Sequence, residues 1–233
     1  MLTITLNWDS SVTWQQFDPN NQAIGLAEEA AFKSAVQYAA HIYENLFTNN
    51  INIVIDVGWG EMGEGSPVSQ LLNAKTNPSA KSYGVPVIYK YSDLYQALTT
   101  NAQSTIQKSA YATLPDINSF ENGPPAREVQ LTQANAKALN MMIPTPSPVD
   151  GWIGFNSTRN WTFDLHDTPA GKQSLVADAE HEISEVLGLM DAVTSDWSPT
   201  VYLIECGLQL PKVVPGVTFA DRIEVVRSQA AAA

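Results

Sequence analysis

Residues 174–188 read SLVADAEHEISEVLG and have the periodicity of an amphipathic helix. Apolar residues recur every three or four positions, so on a helix with 3.6 residues per turn they fall on one side. This side consists of Leu175, Val176, Ala179, Ile183, Val186 and Leu187. The stretch therefore predicts one helix whose apolar side is packed against a core.

Four polar residues share the opposite side of this predicted helix. Asp178, His181, Glu182 and Glu185 fall within an arc of about 100°, because residues three and four apart are stacked neighbours on a helix. His181 and Glu185 could bind one metal ion, with Glu182 beside them and within reach of a water on that ion. This is the spacing of the zinc-binding pattern H-E-x-x-H, with glutamate in place of the second histidine. The alternative is an ordinary solvated helix face.

Residues on either side of the helix supply candidates for a third metal ligand. Gly188 is placed to end the helix in a left-handed conformation, after which Asp191 could fold back toward the ion. The alternative for Asp191 is an ordinary loop residue. His166, in the loop before the helix, is the other candidate ligand, unless it is merely exposed. In the hydrolytic mechanism that follows, the metal activates a water and Glu182 accepts its proton.

The rest of the chain predicts helices and strands in mixed order, which indicates an α/β or α+β fold, and we expect α+β. Two further signals are a glycine-rich loop over 58–65 and an extended connection around Pro144, Pro146 and Pro148. In chain order we predict a strand over 2–6, a helix over 23–47, a strand over 51–57, an edge strand over 85–89, helices over 91–107 and 127–140, and a strand over 151–155.

Composition narrows the classes of protein. Of the 233 residues, 44% are hydrophobic and 15% are charged, which is typical of a compact globular chain. The net charge of -12 repels phosphates, so we expect neither nucleic acid nor an anionic membrane as a partner. The single cysteine, Cys206, excludes an internal disulfide and is expected to be a small buried residue. No apolar stretch approaches the roughly 20 residues that span a bilayer.

The motif resembles that of a known family. The run HEISEVLGLMD, residues 181–191, looks like the zinc motif of the metzincin metalloproteases, H-E-x-x-H-x-x-G-x-x-H/D, and its ending in Asp191 is similar to the snapalysin type. Residues 179–186 also resemble exported bacterial metalloprotease-like proteins in which glutamate replaces the second histidine, as Glu185 does. Metzincins place a methionine-containing turn after the third ligand, whereas no methionine follows Met190 here.

The resemblance implies a zincin-like fold, in which a long N-terminal helix and the motif helix pack on one face of a mixed β-sheet. It implies a single catalytic domain over 1–233. The sheet and helices of its N-terminal part span 1–140, the cleft strand and motif helix span 150–191, and 192–233 forms a C-terminal segment without an expected fold. In such folds the cleft strand, here over 151–155, lies at the sheet edge and pairs with an extended peptide.

The resemblance also implies a function. We expect a metalloendopeptidase that acts on a peptide or protein substrate, with Glu182 as general base and His181, Glu185 and Asp191 as metal ligands. Zinc is the expected metal, and the anionic Glu185 makes calcium or manganese the alternatives. We expect a secreted or periplasmic protein whose leader peptide has been removed. The alternative functions are a non-catalytic extracellular domain that binds calcium or zinc, a structural or interaction domain, and an inactive relative of the proteases.

Overall fold

The computed structural model describes residues 1–68, 71–73, 75, 77–102, 105–112, 114 and 128–189. Helices and strands are interspersed along these residues, and the fold is α+β. The helices are α1 (Trp14–Phe17), α2 (Gln22–Leu46), α3 (Tyr91–Asn101), α4 (Thr105–Tyr111), α5 (Gln133–Ala138) and α6 (Leu175–Val186). The strands are β1 (Thr3–Trp8), β2 (Asn52–Trp59), β3 (Ala80–Gly84), β4 (Pro86–Lys90), β5 (Glu128–Thr132), β6 (Gly151–Phe155), β7 (Trp161–Thr162) and β8 (Gln173–Ser174).

The main sheet has four strands in the order β1-β2-β6-β3. β1 runs parallel to β2, with Ile4 opposite Ile53, and β2 runs parallel to β6, with Val57 opposite Ile153. β3 pairs with β6 in the antiparallel sense, with Ser82 opposite Ile153. The sheet is therefore mixed, and β3 is its edge strand on the side of β6.

The prediction that residues 151–155 form the edge strand of the cleft is wrong in its position. These residues do form β6, but β6 lies between β2 and β3, and all five of its residues are buried. The sequence analysis missed β3, because Ala80 to Gly84 contains no β-branched residue and no clear apolar alternation. Its strand conformation depends on pairing with β6. Because β6 is distant in sequence, the local sequence pattern does not predict this pairing.

The predicted helix over 127–140 is wrong in its first half. Glu128–Thr132 is β5, which pairs antiparallel with β4, and Val129 and Leu131 point into a second small core. Period-two alternation in EVQLT outweighs the helix preference of the alanines that follow, and only Gln133–Ala138 is helical. The helix predicted over 91–107 is interrupted, since α3 ends at Asn101 and α4 begins at Thr105.

Helix α2 covers the main core as predicted. It begins after Asn21, whose side chain accepts a hydrogen bond from the Ile24 N–H at 3.3 Å. Its buried side includes Phe32, which contacts the rings of Trp59 and Phe155 on the sheet. Burial of one such large apolar side chain contributes about 1.5–3 kcal/mol. No helix among the described residues is both long and apolar enough to cross a bilayer.

Helix α6 joins this core by packing against both α2 and the sheet. Its apolar residues Leu175, Ala179 and Ile183 are buried in the same cluster as the side chains of β2. The Tyr43 hydroxyl on α2 donates a hydrogen bond to the Glu180 carbonyl at 2.8 Å, which ties the two helices together. A Cβ atom at Gly151 would lie 2.7 Å from both Cγ atoms of Val186, so glycine in β6 allows α6 to lie close to the sheet.

Candidate metal and general-base site

Helix α6 begins after Ser174, at the start of the predicted stretch. The Ser174 side chain accepts a hydrogen bond from the Ala177 N–H at 3.2 Å, which satisfies one of the free N–H groups of the first turn. The helix then runs from Leu175 to Val186. About two to three turns after this cap, the helix carries His181, Glu182 and Glu185.

The last turn of α6 is closed by Gly188, as the sequence predicted. Gly188 has φ +91°, its N–H bonds the Glu185 carbonyl at 2.8 Å, and the Leu189 N–H bonds the Ser184 carbonyl at 2.8 Å. This pair of bonds is the Schellman arrangement that ends many helices. From α5, buried Asn135 donates a hydrogen bond to the Leu187 carbonyl at 2.9 Å. The turn that carries Glu185 is thus held by hydrogen bonds of the helix end itself and by one from α5.

His181 and Glu185 face each other across one helical turn. The distance from His181 Nε2 to Glu185 Oε1 is 3.2 Å. The His181 side chain is 64% exposed and the Glu185 side chain 32% exposed, so solvent reaches the pair. The predicted stacking of an imidazole and a carboxylate on α6 is therefore present.

Glu182 differs from both of these neighbours because it is buried, with 6% of its surface exposed. Burial raises its pKa from 4.5 to about 7. The nearby Ser82 hydroxyl acts in the opposite direction and lowers this pKa. The charges of Glu185 and Asp178 raise it, and the charge of Lys81 lowers it. Glu182 therefore holds a proton more readily than an ordinary surface glutamate.

The burial of Glu182 corrects the prediction that it lies on the polar side of α6, away from the core. On the helical wheel it falls at the boundary between the polar and apolar arcs, next to Val186. The packing of α6 against β3 covers this boundary. The alternative of an ordinary solvated helix face is therefore wrong for Glu182, although the exposed His181 agrees with it.

Ser82 is a member of the site that the sequence analysis did not identify. It lies on β3, and its hydroxyl donates a hydrogen bond to Glu185 Oε2 at 2.6 Å across a sequence separation of 103 residues. No local signal marks this serine, because its role depends on the register of β3 against β6 and on the docking of α6. The strand beside the helix thus contributes a polar group to the site.

Asp178, the fourth polar residue of the predicted face, has a local partner. Its Oδ2 accepts a hydrogen bond from Gln173 Nε2 at 2.8 Å. Asp178 thus acts on Glu182 through its charge, while its own carboxylate is engaged at the start of α6.

The candidate third ligands have different outcomes. Asp191 lies outside the described residues, as do Cys206 and the segment 192–233. His166 lies elsewhere, in a cleft of about 180 Å³ beside the first half of α6, where its ring meets the ring of Tyr38 edge to face. Within the described ranges, no three His, Cys, Asp or Glu side chains form a group that could hold a metal ion.

The loop that carries His166 is ordered by Asp164. Its Oδ1 accepts hydrogen bonds from the backbone N–H groups of His166 and Asp167, both at 2.9 Å. These bonds lower the pKa of Asp164, since they stabilise its charged form. His166 is therefore positioned by its own loop and does not join His181 and Glu185.

The chemistry of the described site combines two donor atoms that could bind a cation with one buried carboxyl group that exchanges protons near neutral pH. The donor atoms belong to His181 and Glu185, and the carboxyl group belongs to Glu182. No protein-family model, curated protein or solved structure matches this chain.

Proposed function

We propose that this protein is a metal-dependent endopeptidase that hydrolyses peptide bonds. Glu182 is the general base, and His181 and Glu185 are ligands of a zinc ion. The observation that carries the proposal is a buried carboxyl group with a pKa of about 7 directly beside a solvent-accessible imidazole and carboxylate pair. A general base works best when its pKa lies near the working pH.

The spacing of the two donor atoms is one support for this ligand pair, although it is also the distance of a direct contact between the two side chains. Two ligand atoms of a tetrahedral zinc ion, each about 2.0–2.1 Å from the metal, are about 3.3 Å apart. His181 Nε2 and Glu185 Oε1 are separated by 3.2 Å. The anionic Glu185 also suits manganese or calcium better than a second imidazole would, so these are the alternative metals.

Asp191 is the proposed third ligand on the basis of its sequence spacing from Glu185 and Gly188. The proposal covers residues 1–233 as a single zincin-like catalytic domain, exported from the cell or held in the periplasm.

Each residue of the site has a separate role in the proposed reaction. A zinc ion, when bound, acts as a Lewis acid toward a water and the substrate carbonyl. Glu182 accepts the proton of the attacking water and returns it to the leaving amine. Its burial supports this role, because a carboxylate of ordinary pKa would have little affinity for that proton at neutral pH.

The proposed substrate is an extended segment of a peptide or protein. Among the described residues β3 has a strand neighbour on one side only, and an edge strand of this kind can add a further strand. A segment that pairs with β3 would run beside α6, because Ser82 on β3 contacts Glu185. The net charge of -12 favours neither nucleic acid nor an anionic membrane as a partner.

Metal analysis combined with a cleavage assay tests the proposal. We expect about one zinc ion per chain in the wild type and loss of zinc in His181→Ala. In Glu182→Gln we expect the metal to remain and casein cleavage to fall by about 10²–10⁴-fold, as for loss of a general base. His41→Ala is the matched control, because His41 on α2 also faces a glutamate, Glu44, at 3.6 Å.

The alternative functions predict other results. Stoichiometric metal without cleavage of any peptide would indicate a non-catalytic metal-binding domain or an inactive relative. A wild-type protein that binds no metal would contradict the proposal and leave the His181–Glu185 contact as an ion pair of a structural or interaction domain. The 64% exposure of the His181 side chain favours this reading as the second candidate.

A further inference from the structure

The edge strand β1, on the other side of the main sheet from β3, has backbone groups that face away from the sheet. Among the described residues, β1 has a strand neighbour on one side only, which is β2. The Thr3 N–H bonds the Ile51 carbonyl at 3.0 Å, in the direction of β2. N–H groups alternate in direction along a strand, so those of Ile4, Leu6 and Trp8 are directed away from β2.

The sequence of β1 favours pairing with a further strand. Residues 3–8 read TITLNW and contain neither a charged residue nor a proline. Short uncharged segments rich in β-branched and aromatic residues pair readily with identical segments of other chains. Such an edge is therefore a surface for association between copies of a chain unless another group covers it.

Glu44 on helix α2 covers part of this edge. Its Oε1 accepts a hydrogen bond from the Ile4 N–H at 2.7 Å, and its Oε2 lies 3.6 Å from His41 Nε2. The Glu44 side chain is only 21% exposed. A strand added beside β1 would lie about 4.8 Å away and would need the Ile4 N–H for one of its own carbonyls. The Glu44 carboxylate already occupies that position.

Helix α2 runs along β1 and so fixes the position of Glu44. At the other end of the strand, Lys33 Nζ lies 5.7 Å from the centroid of the Trp8 ring. Lys33 and Glu44 are separated by about three helical turns and therefore lie on the same side of α2. This side carries a charged residue near each end of β1.

We propose that the β1 edge fits β1 of a second copy of this chain and that Glu44 blocks this pairing. The inference is independent of the proposed function. The second copy is the partner because the segment is uncharged and a two-fold arrangement places each β1 against an identical surface. The same arrangement would bring two Glu44 carboxylates into the interface, so each copy would have to displace one of them from an Ile4 N–H.

Sedimentation velocity of the full chain over a range of concentrations tests this role. We expect Glu44→Ala to strengthen self-association about tenfold or more, since the Ile4 N–H no longer has to give up a charged acceptor. Glu44→Gln keeps an acceptor oxygen and should associate less than Glu44→Ala. Glu28→Ala is the matched control, because Glu28 lies about 160° around α2 from Glu44 and its loss should leave sedimentation unchanged.

A second substitution on β1 shows whether the gained association uses this strand. Thr5 is exposed, and a lysine on an edge strand opposes pairing. Adding Thr5→Lys to Glu44→Ala should restore the sedimentation of the wild type. Three results would overturn the proposal: no gain of association in Glu44→Ala, a gain that persists with Thr5→Lys, or an association of the wild type that Thr5→Lys alone abolishes.

Discussion

At the scale of single residues, Glu182 links the site to the stability of the protein. The folded protein binds the Glu182 proton with a pKa of about 7, against 4.5 for an ordinary glutamate, so unfolding between these values releases a proton. The stabilising effect of this proton is complete below pH 4.5 and is lost as the pH rises through 7. The difference corresponds to about 3 kcal/mol at the most.

A neutral isostere at this position should therefore stabilise the metal-free protein at high pH. We expect Glu182→Gln to be more stable than the wild type by up to about 3 kcal/mol at pH 8 and equally stable at pH 4. Guanidinium unfolding of protein stripped of metal, at both pH values, measures the difference. Glu128→Gln, an exposed change, is the control. A Glu182→Gln protein that is less stable than the wild type at pH 8 would argue against a destabilising buried charge.

At the scale of the element, the end of α6 combines a backbone requirement with a packing requirement. Gly188 has φ +91°, which side chains of L-residues rarely adopt, and a Cβ atom there would lie 2.0 Å from Asn135 Oδ1. Gly171 has a similar φ of +80°, but nothing lies within 4 Å of its Cβ position. Substitutions at these two glycines therefore distinguish the cost of backbone strain from the cost of steric overlap.

We expect Gly188→Ala to lower the free energy of unfolding by about 2–4 kcal/mol, from strain and overlap together. Gly171→Ala should lower it by about 1–2 kcal/mol, from backbone strain alone. Denaturant unfolding of the two variants measures both values. Equal losses would mean that Asn135 moves aside at no cost and that its contact with α6 is not rigid.

At the scale of the whole molecule, Asp150 connects the main sheet to the small core formed by β4, β5, α3 and α5. It is fully buried just before β6. Its Oδ2 accepts hydrogen bonds from the Val54 N–H at 2.8 Å and from Lys137 Nζ at 2.7 Å, and its Oδ1 accepts one from Gln133 Nε2 at 2.8 Å. Strand β2 and helix α5 are thus tied to β6 through one carboxylate.

Loss of this carboxylate should destabilise the whole fold. We expect Asp150→Ala to lower the free energy of unfolding by about 3–5 kcal/mol, since it leaves a buried N–H and the Lys137 charge without this partner. Lys137→Met should have a smaller effect, because Asp150 keeps its bonds from Val54 and Gln133. Thermal unfolding followed by circular dichroism compares them, and an Asp150→Ala protein as stable as Lys137→Met would contradict this role.

Much of the fold follows from local patterns. The amphipathic period of α2 and α6 and the β-branched run of β2 predicted their elements, since each signal lies within the element itself. β3 and β5 were missed for one shared reason. Their strands are stabilised by partners distant in sequence, β6 for the first and β4 for the second. The zincin-like fold, the metal and the catalytic activity remain predictions.

The sequence by itself determined that His181, Glu182 and Glu185 lie together on one helix ended by Gly188, because backbone hydrogen bonds fix the spacing of side chains along a helix. Tertiary structure alone decided that Glu182 is buried, that its pKa is about 7 and that Ser82 holds Glu185. These properties depend on which strand packs against α6. Sheet pairing between segments that are distant in the chain determines which strand lies beside α6, and the local spacing of residues does not predict it.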